Sequence, residues 1–338
     1  MQITILGGGG FLGRKLASRL AADRELGGRQ ITGLTLFDLA EPPRPANAPF
    51  PVISVAGDIV DLPAAAIPPG TSVVFHLAAV VSAQAEADYE LGRRVNLRGT
   101  DAVVDACRRL ASTSTGRPPR VVFTSSVASF SGGQSAVLAD DARQIPANSY
   151  GAQKAAAELI LADASRRGFL DAVSIRLPTI TVRPGRPNKA ASSFLSSILR
   201  EPLLGMSAEL PVPRHFAAWI ASPRRAVDWL LHAASIDTSG MGDSSGMGLD
   251  RGINPPGISA TVAQMLAALD EVKPGASALV RPVEDPEIAA IVGTWPAAFA
   301  PVRAHRLGFA PHESLVDLVR AFVDDDLEAT RHERGLPD

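Results

Sequence analysis

The sequence predicts an α/β protein: a doubly wound parallel sheet with helices on both faces, joined to a smaller, partly interleaved C-terminal lobe. Three observations carry that reading. Short, uniformly apolar runs alternate with helix-period segments through the first half, as expected of strands covered on both faces by helices. The first apolar run passes straight into a glycine-rich turn that opens a helix, at the edge where an open parallel sheet places its ligands. From about residue 178 the alternation gives way to proline-punctuated pieces, which break regular elements and mark a second folding region.

Taken in order, residues 2–6, 31–37, 52–55, 73–77, 120–124 and 172–177 read as strands, and residues 12–22, 88–110 and 150–167 as helices. Residues 1–177 therefore form one domain. Residues 178–338 form mainly the second lobe, with a helix at about 223–234 returning to the first domain and helices near 261–272 and 313–326 closing the chain. The stretch 238–252 is rich in Gly, Ser, Met and Asp and has no apolar period, so it reads as an exposed, mobile loop.

A formal net charge of −2 and a pI near 6.3 give no electrostatic footprint for nucleic acid. No run of about 18 apolar residues occurs, and Met1 leads directly into a strand without a basic leader. The single cysteine, Cys107, sits in an apolar helical setting and has no partner for an internal disulfide. These features point to a soluble cytoplasmic protein with a small-molecule partner and no membrane association.

The turn Gly7-Gly8-Gly9-Gly10-Phe11-Leu12-Gly13 follows the first strand and opens the first helix. Glycines at 7, 10 and 13 permit a tight turn, close approach of backbone to a pyrophosphate and close helix-strand contact, while the N–H groups around Phe11 and Leu12 face the phosphates. Alone, such a turn is often only a turn. Asp38, at the end of the second strand, adds a carboxylate able to accept both ribose hydroxyls of an adenosine. Leu39, Ala40 and Glu41 follow it with no basic residue, which favours NAD over NADP in a Rossmann-type site. Asp58-Ile59, after the third strand, is a weaker candidate for the adenine edge.

Tyr150 and Lys154 are spaced four apart in a chain with two tyrosines and four lysines. On a helix they share a face, about 5–6 Å apart at Cβ. An ammonium beside a phenol favours the phenolate, lowering the phenol from its usual value near 10 by about 1–3 units, with help from a nicotinamide charge. Ser126, at the carboxyl end of the strand 120–124, supplies a hydroxyl to hold a substrate oxygen. Together Ser126, Tyr150 and Lys154 form a proton relay suited to hydride transfer at a carbon bearing oxygen.

With the loop, the acid, His76-Leu77-Ala78-Ala79, Asn96, Ser126 and Tyr150-Gly151-Ala152-Gln153-Lys154 in order, the chain resembles the extended short-chain dehydrogenase/reductases of the NAD-dependent epimerase/dehydratase family. The resemblance implies that Leu77, Ala78, Ala79, Pro178 and Lys154 line the cofactor and that Asn96 supports the site. It implies a homodimer pairing helices near 88–110 and 150–167, although those apolar faces serve the sheet equally well. His76 reads as structural.

Two departures narrow the chemistry. Val127-Ala128 follow Ser126 where dehydratases of this family carry an acidic pair, and Arg176-Leu177-Pro178-Thr179 lacks the asparagine usual in nucleotide-sugar members. The stretches 75–82, 176–180 and 183–188 are similar to the D-erythronate dehydrogenase subfamily, which implies oxidation of the C2 hydroxyl of a small sugar acid to the 2-oxo acid. A carboxylate substrate needs a cationic anchor. Arg183, Arg186, Lys189 and Arg225 are the candidates, with Ser82, Thr179, Asn188, Ser192 and Ser193 as neighbours for its hydroxyls. A nucleotide-sugar 4-epimerase with tightly held NAD is the first alternative, and a non-catalytic dinucleotide-sensing protein the second. No metal site is read.

Overall fold

The protein is described by a computed structural model that covers residues 1–113, 117–133, 136–186, 191–239, 248–311 and 313–336. Its centre is a seven-stranded parallel sheet: β1 (Gln2–Leu6), β2 (Gly33–Asp38), β3 (Val52–Ala56), β4 (Thr71–His76), β5 (Arg120–Ser126), β6 (Asp171–Leu177) and β7 (Gly252–Ile253). The spatial order is β3-β2-β1-β4-β5-β6-β7. Winding runs outward from β1 to β3, returns to β4 and runs the other way, so the switch point lies between β1 and β4. That is where open α/β sheets leave a crevice for ligands.

The strands end in step. Leu6 pairs with Phe37 on one side and His76 on the other, His76 pairs with Phe123, and Ser126 with Leu177. The glycine turn, Asp38, Leu77, Ser126 and Pro178 are thereby lined up along one sheet edge.

Both sheet faces are covered. Helices α1 (Phe11–Asp23) and α5 (Pro223–Ser235) pack on one face, where Ile3, Ile5, Leu16, Leu20 and the wholly buried Trp229 share a core. On the other face Leu6, Phe37, Val74 and Phe123 meet Val103 of α2 (Gly99–Thr113) and Leu161 of α3 (Ser149–Arg166). Neighbouring strand residues point to opposite faces and both faces are dry, so these strands show no polar alternation. Cys107 is buried in the second of these cores, and burial pushes its thiol up to about 12.

The second lobe has its own core. Phe194 and Leu199 of α4 (Ser193–Leu203), Leu266 of α6 (Val262–Val272) and Phe322 of α7 (Leu315–Asp325) enclose Val182, Leu210 and Ile220. A small sheet joins Thr179–Ile180 and Ile258–Thr261 through Ala217–Ala221.

Three elements differ from the pattern in the sequence. The helix expected over 88–110 is divided into Tyr89–Arg93, a π turn at Arg94–Arg98 and α2, because Asn96 turns in to bind backbone of the Val80 loop; π turns of this kind often mark functional sites. The stretch 238–252 ends in β7, whose pairing with β6 is led by Ser174 N–H donating to Arg251 O at 2.8 Å; residues 240–247 of the expected loop lie outside the described residues. Helix α4 was not evident in its polar opening, Ser192-Ser193. Among the described residues no helix is long and apolar enough to cross a membrane.

Candidate active site

Gly7 has φ +90°, and a Cβ there would lie 2.7 Å from the Ala78 nitrogen, so only glycine lets the chain leave β1 against the strand-end segment of β4. Gly10 then caps α1 without a side-chain hydrogen bond, and no acidic residue occupies the first turn. The helix opens with its N–H groups and positive dipole end at a cleft lined by Gly7, Gly10, Phe11, Leu12 and Gly13. Such an arrangement can cradle a pyrophosphate. Beside it, Asp38 accepts from Gly9 N–H at 2.9 Å and Leu39 N–H at 2.7 Å, which fixes the carboxylate next to the loop.

Asp58 and Ile59 lie off this cleft. The Asp58 carboxylate accepts from Val60 N–H at 3.0 Å and pairs with Arg94 at 2.7 Å, while Ile59 is buried against Gly99. Ala78 spends its N–H on Leu6 O at 3.0 Å; Leu77, Ala79 and Pro178 line the cleft. Asn96, expected to support the site, is a buried clamp that does not line the cleft. It accepts from Val80 N–H at 2.9 Å and donates to Val80 O at 3.0 Å and Gln153 Oε1 at 2.7 Å, so both amide ends are spent on protein. His76 is buried with Nε2 3.0 Å from Thr100 Oγ1.

The proton-relay residues meet at the cleft floor. Ser126 ends β5 and caps the short 3₁₀ turn Val127–Phe130 by accepting from Ala128 N–H at 3.1 Å. Asn148 caps α3 through Gly151 N–H at 2.7 Å, and a Cβ on Gly151 would lie 2.3 Å from Ala128 O. Helix and turn therefore touch backbone to backbone, which brings Tyr150 and Ser126 to the same cleft. Lys154, on the same helix face and buried, donates to Thr124 O at 2.8 Å. Its Nζ stands 4.5 Å from the Phe123 ring centre and 5.6 Å from that of Tyr150.

The electrostatics differ from the expectation of a phenol lowered by Lys154. Burial pushes the Tyr150 phenol up to about 12, opposed by the charge of Arg183 and by the Ser126 hydrogen bond. Burial also pulls Lys154 down to about 7, against the pull of Glu158. The lysine donates to a backbone carbonyl, and the charge opposing the rise of the phenol is that of Arg183.

A polar layer behind the relay went unread. Glu158, four residues beyond Lys154 on α3, receives Arg176 at 2.8 Å and 3.0 Å, Gln144 at 3.0 Å, and the hydroxyl of Ser125. The signals were present in the Lys-x-x-x-Glu spacing and in an arginine within an otherwise apolar strand.

The far wall of the cleft, of about 370 Å³, holds Ser82, Thr179, Arg183, Ser192 and Ser193, with Arg186 at its exposed mouth. Ser196, Arg200 and Trp295 also line it and had no pattern in the sequence to mark them. Arg225, expected on this wall, lies outside the lining. Its N–H is capped by Ser222 at 3.0 Å in the first turn of α5, and its Nη1 stands 3.5 Å from Asp228, because α5 belongs to the sheet face under Trp229. Asn188 and Lys189 lie outside the described residues. Among the described residues no group of His, Cys, Asp and Glu could hold a metal ion.

Comparison with known proteins bears on this geometry. Residues 3–215 match the NAD dependent epimerase/dehydratase family. The chain is 45% identical to a D-erythronate dehydrogenase from Cupriavidus necator, covering 96% of this chain and 98% of that protein. It is 36% identical to a D-erythronate dehydrogenase from Haemophilus influenzae, over 97% and 100% of the two chains. A crystal structure described as a nucleoside-diphosphate-sugar epimerase from Agrobacterium tumefaciens superposes with a TM-score of 0.90 at 42% identity, covering 97% of this chain and 95% of that one. With a sheet wound as these proteins require and a matching stretch running from β1 beyond β6, the chain belongs to the NAD-dependent epimerase/dehydratase family.

Proposed function

We propose that the protein is an NAD-dependent dehydrogenase that oxidises the C2 hydroxyl of a small sugar acid of the D-erythronate type to the 2-oxo acid. The observation that carries the reading is the placement of Tyr150 beside Ser126 on the floor of a cleft whose facing wall holds Arg183 and a row of hydroxyls. Two full-length relatives that carry the D-erythronate dehydrogenase name support the substrate class.

Residues 1–177, with α5 and β7, hold the dinucleotide: the loop from Gly7 to Gly13 takes the pyrophosphate, Asp38 the adenosine ribose, and Lys154 the nicotinamide ribose. The fixed carboxylate of Asp38, with no cation in the following turn, repels a 2′-phosphate and favours NAD over NADP. Bound NAD⁺ supplies the hydride acceptor. Ser126 holds the C2 oxygen while Tyr150 takes its proton, and Lys154 together with Arg183 supports the phenolate that can do so. Ser82, Thr179 and Ser192 face the remaining hydroxyls. Val127-Ala128 after Ser126 offer no acid or base for elimination of water.

Purified protein mixed with NAD⁺ and a panel of four- to six-carbon aldonates should raise the NADH absorbance with D-erythronate or a near relative. Silence across the panel would remove this reading. The similarity to the nucleoside-diphosphate-sugar epimerase from Agrobacterium tumefaciens supports a second reading, in which tightly held NAD⁺ is recycled on a nucleotide sugar. In that case the protein would purify with cofactor bound and turn over without added NAD⁺.

A further inference from the structure

Among the described residues Arg183 is an unbalanced charge of the cleft. It follows the strand Thr179–Ile180 and is tied on three sides: its N–H donates to Ser196 Oγ at 3.1 Å, its carbonyl accepts from Arg200 Nη1 at 2.8 Å, and its own Nε donates to Ile180 O at 3.0 Å. Only the two Nη groups remain for the space the residue lines. Its neighbour Arg200 is compensated by Glu201 at 2.7 Å, and Glu201 is shared with Arg334. Among the described residues Arg183 has no carboxylate partner. A half-buried cation beside a second cation is costly unless an anion joins it.

The geometry points to one guanidinium serving two oxygens: Arg183 clamps the substrate's carboxylate and stabilises the Tyr150 phenolate. This rests on the sugar-acid reading above and sharpens it. In a 2-hydroxy acid the carboxylate is bonded directly to the carbon whose hydroxyl must reach Tyr150 and Ser126. A forked donor lining the same cleft as the phenol therefore serves both ends of the same short unit, and its planar pair of N–H groups matches a carboxylate. Burial lowers Arg183, Tyr150 pulls it back up, and Arg200 lowers it further, as expected when the phenol is its main counter-group. The other groups around Tyr150 are engaged: Lys154 on Thr124 O, Ser126 on Ala128 N–H, and Glu86 on Ser149 N–H at 2.8 Å.

The test compares wild type, Arg183→Met and Arg183→Lys with D-erythronate and saturating NAD⁺ across pH, with NAD⁺ affinity measured separately. Arg183→Met should raise KM for the acid by about 30- to 5,000-fold, the range for truncating one partner of a buried charge pair, and leave NAD⁺ binding intact. It should also move the acid limb of kcat/KM to higher pH, because the phenol then loses a neighbouring positive charge. Arg183→Lys should restore the limb and recover KM only in part, since a point charge lacks the fork, and it carries the test if the methionine variant does not fold. An unchanged KM in Arg183→Met overturns the clamp, and a raised KM with an unmoved acid limb overturns the shared role. No turnover of any 2-hydroxy acid by wild type would instead overturn the underlying function.

Discussion

Arg176 and Glu158 form a buried ion pair one helical turn behind Lys154, with Nη2–Oε2 at 2.8 Å and Nε–Oε2 at 3.0 Å. Both side chains are under a tenth exposed. The pair joins β6 to α3 and fixes the helix that carries the relay.

Removing one partner should therefore destabilise the fold more than removing both. Glu158→Gln or Arg176→Met is expected to lower the unfolding free energy by about 3–5 kcal/mol. The double replacement should lose less than the sum of the two. Urea denaturation of the three variants checks this, and simple additivity would show that the residues do not act as a pair.

Tyr150→Phe removes the proton acceptor and keeps the ring. Turnover should fall by orders of magnitude, on the scale of about 10²–10⁴ for a lost general base, while NAD⁺ affinity stays near wild type. Normal turnover in this variant would remove Tyr150 from the relay.

Gly151→Ala tests the backbone contact that delivers Tyr150. The added methyl would lie 2.3 Å from Ala128 O, so α3 must shift from the turn after Ser126. A displacement near 1 Å costs on the order of 100-fold in kcat. Equal kcat in the alanine variant would mean that the spacing of helix and turn does not matter to catalysis.

Asp38→Ala should weaken NAD⁺ and narrow its lead over NADP⁺, read from kcat/KM with each cofactor. An unchanged ratio would place cofactor choice elsewhere.

His76 gives a pH dependence of stability whose direction is set by burial. Burial and, secondarily, Lys154 hold its imidazole down at about 3, against an ordinary value of 6.5. The unfolded chain binds a proton below pH 6.5 that the folded chain refuses until about pH 3. Stability is full above pH 6.5 and declines as pH falls through that window, by on the order of 5 kcal/mol. His76→Gln should flatten this slope in urea midpoints measured from pH 7 to pH 4.

The sheet was legible because its strands announce themselves in one dimension. Residues 2–6 and 120–124 fall inside observed strands, and the strand expected at 31–37 begins at Gly33 only because Ile31 N–H is spent on Arg24 O in the preceding turn. Tyr150, Lys154 and Ser126 were legible from spacing and strand ends. Long-range partners were not. Nothing local marks Asn96 as the clamp of Val80, Arg183 as a charge in the cleft of Tyr150, or Arg225 as a companion of Asp228; each depends on which elements meet in space. Trp295 reaches the cleft from a segment with no motif at all.

The seventh strand has a consequence for how this chain can be cut. Because β7 and Trp229 come from beyond residue 177, a fragment ending there would keep every residue proposed for the dinucleotide loop and for the relay, yet lose the strand that shields β6 and the helix that fills the face beneath it. An uncovered apolar strand edge is a template for pairing with other chains. The nucleotide half should therefore be insoluble as a fragment, and become an independent module only when the residues around Trp229 and Gly252 are supplied.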